Sequence, residues 1–133
     1  MIFQHTLQQV LNQRKTQTRR VISPGEDAIR GQYNKITAVT HNGRQKWVVG
    51  RTYAVQPGRG QAQVARIRLT GINSEYITRI CTPDAIAEGF GSRAAFLQTW
   101  KHIHGDNALR HRVWVIRFEL VDAQTDHSRA SSA

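Results

Sequence analysis

The stretch RKTQTRRVIS, residues 14–23, sets the amine of Lys15 beside the hydroxyls of Thr16 and Thr18 and the guanidinium groups of Arg14, Arg19 and Arg20. Two kinds of chemistry suit that set. Held as a row of cations, the stretch would bind phosphates, for which arginine is the better fork. Held around a pocket, a neutral Lys15 would act as a base, and a threonine hydroxyl within its reach would become a nucleophile. An ordinary lysine titrates near about 10.4, so its ammonium must first be pushed down. The like charge of Arg14, Arg19 and Arg20 and a desolvated setting would both act in that direction.

Geometry sets a condition on the second reading. Lys15 and Thr18 are three residues apart, which in a plain strand puts them on opposite faces. They converge only where the chain turns between them and the element before. Phe3, Leu7, Val10 and Leu11 fall at i, i+4, i+7 and i+8, the spacing of a short amphipathic helix ending near residues 12–14. Beyond it, Thr16, Thr18 and Arg20 alternate with Gln17, Arg19 and Val21, a strand pattern. The helix exit at 12–15 is the place for the turn.

The remaining elements follow from turn chemistry and periodicity. Residues 23–46 carry Pro24, Gly25, Gly31, Asn42 and Gly43 and read as an excursion with one weak strand at 36–40. HNGR at 41–44 is a hairpin turn, since Asn-Gly accepts positive φ at both central positions. KWVV leads through Gly50 into a strand, TYAVQ, closed by the turn PGRG at 57–60. In QVARIRLTGI, Ala65, Ile67 and Leu69 form an apolar face, and Arg66 and Arg68 lie on the other. Thr82-Pro83-Asp84 starts a helix with Thr82 as its cap, and the helix stops at Gly89. Ser92 caps a second helix in which Phe96, Leu97, Trp100 and Ile103 share a face. RVWVIRFEL closes the series, with Trp114, Ile116, Phe118 and Leu120 on one apolar side. This order predicts an α+β fold: a mostly antiparallel sheet curling into a small barrel, with an N-terminal helix and two further short helices. A single domain is expected over 1–121, and the polar stretch 122–133 is expected to be a disordered tail.

Composition narrows the partners. The chain has 133 residues, and its 19 Lys and Arg against 9 acids give a net charge of +10. Such a surface attracts polyanions, nucleic acid above all. Cys81 is the only cysteine, so no internal disulfide forms, and a buried small residue is expected there. His102 and His104 would point apart on a helix, so no metal site is expected. No glycine pattern for cradling nucleotide phosphates occurs. The N-terminal residues lack a long apolar run and no window approaches a membrane span, so a cytoplasmic location and no membrane partner are expected.

Five of these pieces, in this order, resemble the ASCH domain family, a branch of the PUA-like β-barrels. They are RKTQTRR after the first helix, W-V-x-G-x-x-Y-x-V-Q-P-G at 47–58, A-x-A-E-G-F at 85–90, F-x-x-x-W at 96–100 and VWVIRFEL at 113–120. One branch of that family removes the acyl group from N(4)-acetylcytidine and related N(4)-acylated cytosines, using a Lys and a Thr of a K-T-x-T-x-R motif and a Glu from a later helix. The resemblance implies Lys15 as base, Thr18 as nucleophile or guide for water, and Glu88 as proton carrier, with no cofactor. This chain departs in having Gln13 where the family often has Gly, and in its 23–46 excursion.

The residues themselves extend that expectation. Glu88 lies among Ala85, Ile86, Ala87 and Phe90, a setting that raises a carboxyl pKa, unless it pairs with an arginine of the opening stretch. Arg19 and Arg20 are candidates for holding substrate, and Tyr53 and Trp47 for stacking on a pyrimidine or for packing the core. Arg59, on the PGRG turn, is placed to meet a phosphate or ribose. The expected substrate is a modified nucleoside or nucleobase. The alternative is an RNA-binding module, with or without ribonuclease activity, whose phosphate track would be Arg66 and Arg68 with Arg44, Lys46, Arg51 and Arg59. A third reading is an accessory protein that binds a nucleotide in the same pocket without chemistry.

Overall fold

A computed structural model describes residues 1–123; of the tail expected over 122–133, residues from 124 onward lie outside it. In chain order the elements are α1 (Leu7–Leu11), β1 (Gln17–Val21), β2 (Glu26–Arg30), β3 (Ile36–His41), β4 (Arg44–Val48), β5 (Thr52–Val55), β6 (Ala65–Tyr76), α2 (Thr82–Ala87), α3 (Arg93–His104) and β7 (Arg112–Ala123). The strands form a seven-stranded sheet ordered β1-β7-β6-β3-β2, with β4 added to β3 and β5 to β6. Every strand pair is antiparallel. The α+β class and the barrel-like, mostly antiparallel sheet are as the sequence predicts. Among the described residues no helix is long and apolar enough to cross a membrane.

β7 explains the architecture. Its run Val113 to Ile116 is buried without a break, and alternate residues serve two different cores. Trp114, Ile116 and Phe118 face a first core inside the curled sheet, with Phe3, Val10, Val39, Ile67 and Leu69. Val113 and Val115 face a second, under α2 and α3, with Ile77, Ile80, Ala85, Phe96 and Trp100. A strand covered on both sides reads as a continuous apolar run, which is why VWVI lacks a polar face. Each fully buried aliphatic side chain here contributes on the order of 1.5–3 kcal/mol.

Local chemistry sets the connections. Asn42 and Gly43 adopt φ of 50° and 81°, the left-handed pair that the β3–β4 hairpin requires. The Ser92 hydroxyl accepts from the Ala95 N–H at 3.0 Å and caps α3. Three expectations are corrected. The 23–46 excursion holds a second strand, β2, whose first residue Glu26 is buried because Trp114 Nε1, the Ser23 N–H and Lys46 Nζ all donate to its carboxylate. Cys81, not Thr82, is the cap residue of α2, and it is exposed rather than buried. Ile103 does not complete the core face of α3; it is 45% exposed.

Candidate active site

The turn after α1 delivers Lys15. Gln13 sits at φ 64°, a left-handed conformation that reverses the chain as it leaves the helix. The Lys15 N–H donates to the Gln9 carbonyl at 2.9 Å, and the Thr16 N–H to the Ala87 carbonyl at 2.7 Å. The Thr16 carbonyl accepts from the Phe118 N–H at 2.9 Å. Residues 13–16 are thus fastened to α1, to the end of α2 and to β7 at once. Gly89, at φ 98°, closes the joint: a Cβ there would lie 3.1 Å from the Gln9 Cβ and 3.6 Å from the Lys15 Cβ.

β1 sorts its side chains by register. Thr18 lies opposite Ile116 and Arg19 opposite Val115, so they face the two sides of the sheet. Arg19, only 4% exposed, reaches three carboxylates: Nη1 donates to Glu88 Oε2 at 2.9 Å, and Nη2 lies 2.7 Å from Glu75 Oε1 and 3.3 Å from Asp84 Oδ2. Gln17 supports this cluster, accepting from Arg19 Nη1 and donating to Asp84 Oδ1. Arg20 instead turns inward on the other side. Its Nε donates to Thr18 Oγ1 at 3.2 Å, its Nη2 to the Ile2 carbonyl at 2.9 Å, and its guanidinium lies over the Phe3 ring.

Lys15 and Glu88 form the centre. Both are buried, at 5% and 2% exposure, although 73 residues separate them in sequence. Lys15 Nζ donates to Glu88 Oε1 at 2.8 Å and to the Glu88 backbone carbonyl at 2.9 Å. Burial pushes the Lys15 ammonium below the usual lysine range; Glu88 pulls it back up, and Arg20 and Arg19 press it down again. The net direction is down, the one that a lysine base requires. Glu88 has a double attachment, Oε1 to Lys15 and Oε2 to Arg19, so its carboxylate orientation is fixed from both sides. No hydrogen bond joins Lys15 Nζ to Thr18 Oγ1: the amine is engaged by Glu88 and the hydroxyl by Arg20.

All eight residues that the sequence nominates line one cavity of about 800 Å³: Lys15, Thr18 and Glu88 with Arg19, Arg20, Trp47, Tyr53 and Arg59. They are not equally free. Trp47 is buried in the first core and capped by Lys46, whose Nζ lies 4.5 Å from the indole centroid. The Tyr53 hydroxyl accepts from the Val48 N–H at 2.7 Å, which fixes the phenol against β4. Arg59 is exposed at the rim. The sequence reading missed two walls. One is the segment Ile2–Thr6, fastened where the Phe3 N–H donates to the Gln56 carbonyl. The other comes from Phe90 and α3, through Phe96, Thr99, Trp100, Ile103 and His104. Ile103, expected on the shared apolar face of α3, stands part-exposed in this wall. Among the described residues, no group of three or more metal-ligating side chains comes together.

No protein-family model matches the chain, and no curated protein is significantly similar to it in sequence. Solved structures are similar in fold. Protein EF3133 from Enterococcus faecalis, of the family DUF984, superposes with a TM-score of 0.58 at 19% identity, over 89% of this chain and 71% of its own. An ASCH domain from Lactobacillus crispatus superposes with a TM-score of 0.54 at 14% identity, over 86% of this chain and 69% of its own. The fold is therefore that of an ASCH, PUA-like domain.

Proposed function

We propose that the chain is an amidohydrolase that removes the acyl group from N(4)-acetylcytidine and related N(4)-acylated cytosines. One observation carries the reading: a buried lysine with a lowered pKa, held by a glutamate on the wall of a cavity that also presents a threonine hydroxyl. A lysine so placed is costly to the fold, and such groups cluster where proton transfer is needed.

In the proposed reaction the Thr18 hydroxyl adds to the acyl carbonyl carbon and its proton passes to neutral Lys15. The Arg20 Nε–H on Thr18 Oγ1 leaves the hydroxyl proton free to depart and steadies the charge that develops on oxygen. Lys15 hands its proton through Glu88 to N(4), the C–N(4) bond breaks, and the cytosine amine leaves. Water then cleaves the Thr18 ester, with Lys15 again as base, releasing the carboxylic acid. In the variant without an ester, Thr18 positions a water that attacks directly. Because no hydrogen bond joins Lys15 to Thr18 in the free protein, the substrate's arrival must bring base and nucleophile into line, a common feature of unliganded sites. Arg19 acts here as a positioning residue, since its guanidinium is taken up by Glu88, Glu75 and Asp84.

The test is the ultraviolet spectrum of N(4)-acetylcytidine incubated with the protein and EDTA, beside Lys15→Ala and Thr18→Ala. Conversion to cytidine by the unaltered protein and not by Lys15→Ala is expected. Hydroxylamine trapping of an acyl group would separate the ester route from direct attack by water. No conversion of the acetyl compound or of longer acyl homologues would overturn the reading.

A further inference from the structure

Phenylalanine, tyrosine and tryptophan rings line much of the active-site cavity, but they are not equally open to it. Phe3, Trp47, Phe96 and Trp100 are buried, whereas Phe90 and Tyr53 are half-buried. The two half-buried rings belong to different sides of the molecule. Tyr53 lies opposite Ile67 and packs on the first core, with its hydroxyl taken up by the Val48 N–H. Phe90 packs on the second core, under α2 and α3, and follows Glu88 by two residues.

The turn that ends α2 fixes Phe90 relative to Glu88. The Gly89 N–H donates to the Ile86 carbonyl at 2.9 Å and the Phe90 N–H to the Ala85 carbonyl at 3.0 Å, with Gly89 at φ 98°. These are the paired bonds that close a helix on a left-handed glycine. Glu88 is the cap residue of that helix, so carboxylate and ring leave one rigid turn. Phe96 meets Phe90 edge-on, 5.3 Å between centroids, and stacks in turn on Trp100 at 5.9 Å. Trp100 is itself anchored, its Nε1 donating to the Ala108 carbonyl at 3.0 Å. A braced aromatic row thus stands behind Phe90, and the uncovered part of its ring contributes to the cavity wall.

In an acylated cytosine, N(4) is conjugated both with the acyl carbonyl and with the pyrimidine, so the reacting part of the molecule is a flat plate. Glu88 hands its proton to N(4) in the proposed reaction, which brings the pyrimidine beside the turn that carries Glu88. We propose that Phe90 is the platform on which this ring stacks. Through it the site selects acyl amides whose nitrogen is borne by a flat conjugated ring over those of aliphatic amines. The contact is the same before and during the reaction, so it contributes to binding and not to the chemical step. The inference rests on the proposed hydrolysis for the placing of N(4).

Steady-state hydrolysis of N(4)-acetylcytidine by Phe90→Leu and Phe90→Tyr, with a proton NMR titration of cytidine, tests it. Phe90→Leu keeps apolar bulk and removes the ring. Its KM should rise about 2- to 12-fold, the share that an aromatic contact adds, with kcat nearly unchanged, while Phe90→Tyr should keep the unaltered KM. The H5 and H6 signals of cytidine should move upfield on binding to the unaltered protein, and Phe90→Leu should lose most of that shift. Thermal unfolding of both variants separates a lost ring from a lost fold. Cytidine binds without being hydrolysed, so a shift that depends on Phe90 in a protein that hydrolyses nothing would uphold the platform and sink the amidohydrolase reading alone. A fall in kcat at constant KM would make Phe90 a prop for Glu88 and overturn the platform. So would an unchanged KM and shift in Phe90→Leu, or a shift lost through Tyr53→Leu in its place.

Discussion

Lys15 and Arg19 lie four residues apart, both buried against Glu88, yet they should respond oppositely to replacement. Lys15 is a cation that burial disfavours, so its folded pKa lies below that of the unfolded chain. Between those two values the unfolded form binds more protons, and stability therefore rises with pH through that window. Lys15→Met removes this dependence and leaves Glu88 paired with Arg19. We expect a change in stability of about 1 kcal/mol or less at neutral pH and a flatter alkaline limb, measured by urea unfolding, together with loss of the proposed hydrolysis. In the unaltered protein, hydrolysis should rise with pH as Lys15 loses its proton, with the midpoint below the usual lysine range. Arg19→Met is different, because Glu75 and Asp84 then lose their ion pairs and the buried Glu88 keeps Lys15 alone. Taking the buried guanidinium out of this carboxylate cluster should cost about 3–5 kcal/mol in the same unfolding experiment. A mild Arg19 variant that still lost activity would instead mark it as a substrate ligand.

At the scale of elements, the site depends on the joint between α1, β1 and α2. Gly89→Ala would place a methyl 3.1 Å from the Gln9 Cβ at a φ of 98°, and both strain and contact oppose it. The expected loss is about 1–3 kcal/mol by thermal unfolding, with a fall in activity because the same methyl meets the Lys15 Cβ. Gln13 offers the reverse change. Its left-handed conformation is one that glycine adopts without steric cost, so Gln13→Gly should stabilise by roughly 0.5–1 kcal/mol. Most of these elements were legible because their signals are local: the alternation of β1, the Asn-Gly hairpin, the Ser92 cap. β2 was not, since its opening residues Glu26 and Asp27 read as solvent-facing and Glu26 is internal only through Trp114, 88 residues away. For the same reason the resemblance could nominate Lys15 and Glu88, while composition and spacing could not say that they touch. Glu75 and Asp84 as partners of Arg19, and the α3 wall of the cavity, went unnoticed, because only the fold brings them together.

Across the whole molecule, a few acids restrain a large excess of positive charge. Of the 9 acidic residues, Glu26, Glu75, Asp84, Glu88 and Glu119 all form ion pairs with Lys or Arg. Burial by itself would raise the carboxyl of Glu26, but hydrogen bonds from Lys46, the Ser23 backbone and Trp114 outweigh it and the net direction is down. For Asp84 the donors Gln17 and Cys81 and the charge of Arg19 likewise outweigh burial. A carboxyl with a depressed folded pKa contributes stability that is present above its ordinary value, about 3.9 for Asp and 4.3 for Glu, and is lost as pH falls through the folded value. Each acid neutralised also frees a cation in a chain that already carries +10. The melting temperature should therefore drop steeply on the acid side. Glu26 is the informative site, because its carboxylate joins the β2 start, β4 and the Trp114 of β7, and so ties the outer strands to the shared central one. Glu26→Gln should melt lower at neutral pH and lose less on acidification, so that the two curves converge at low pH. Parallel curves would place the acid limb on Asp84 instead, and the same series on Asp84→Asn would then carry the slope.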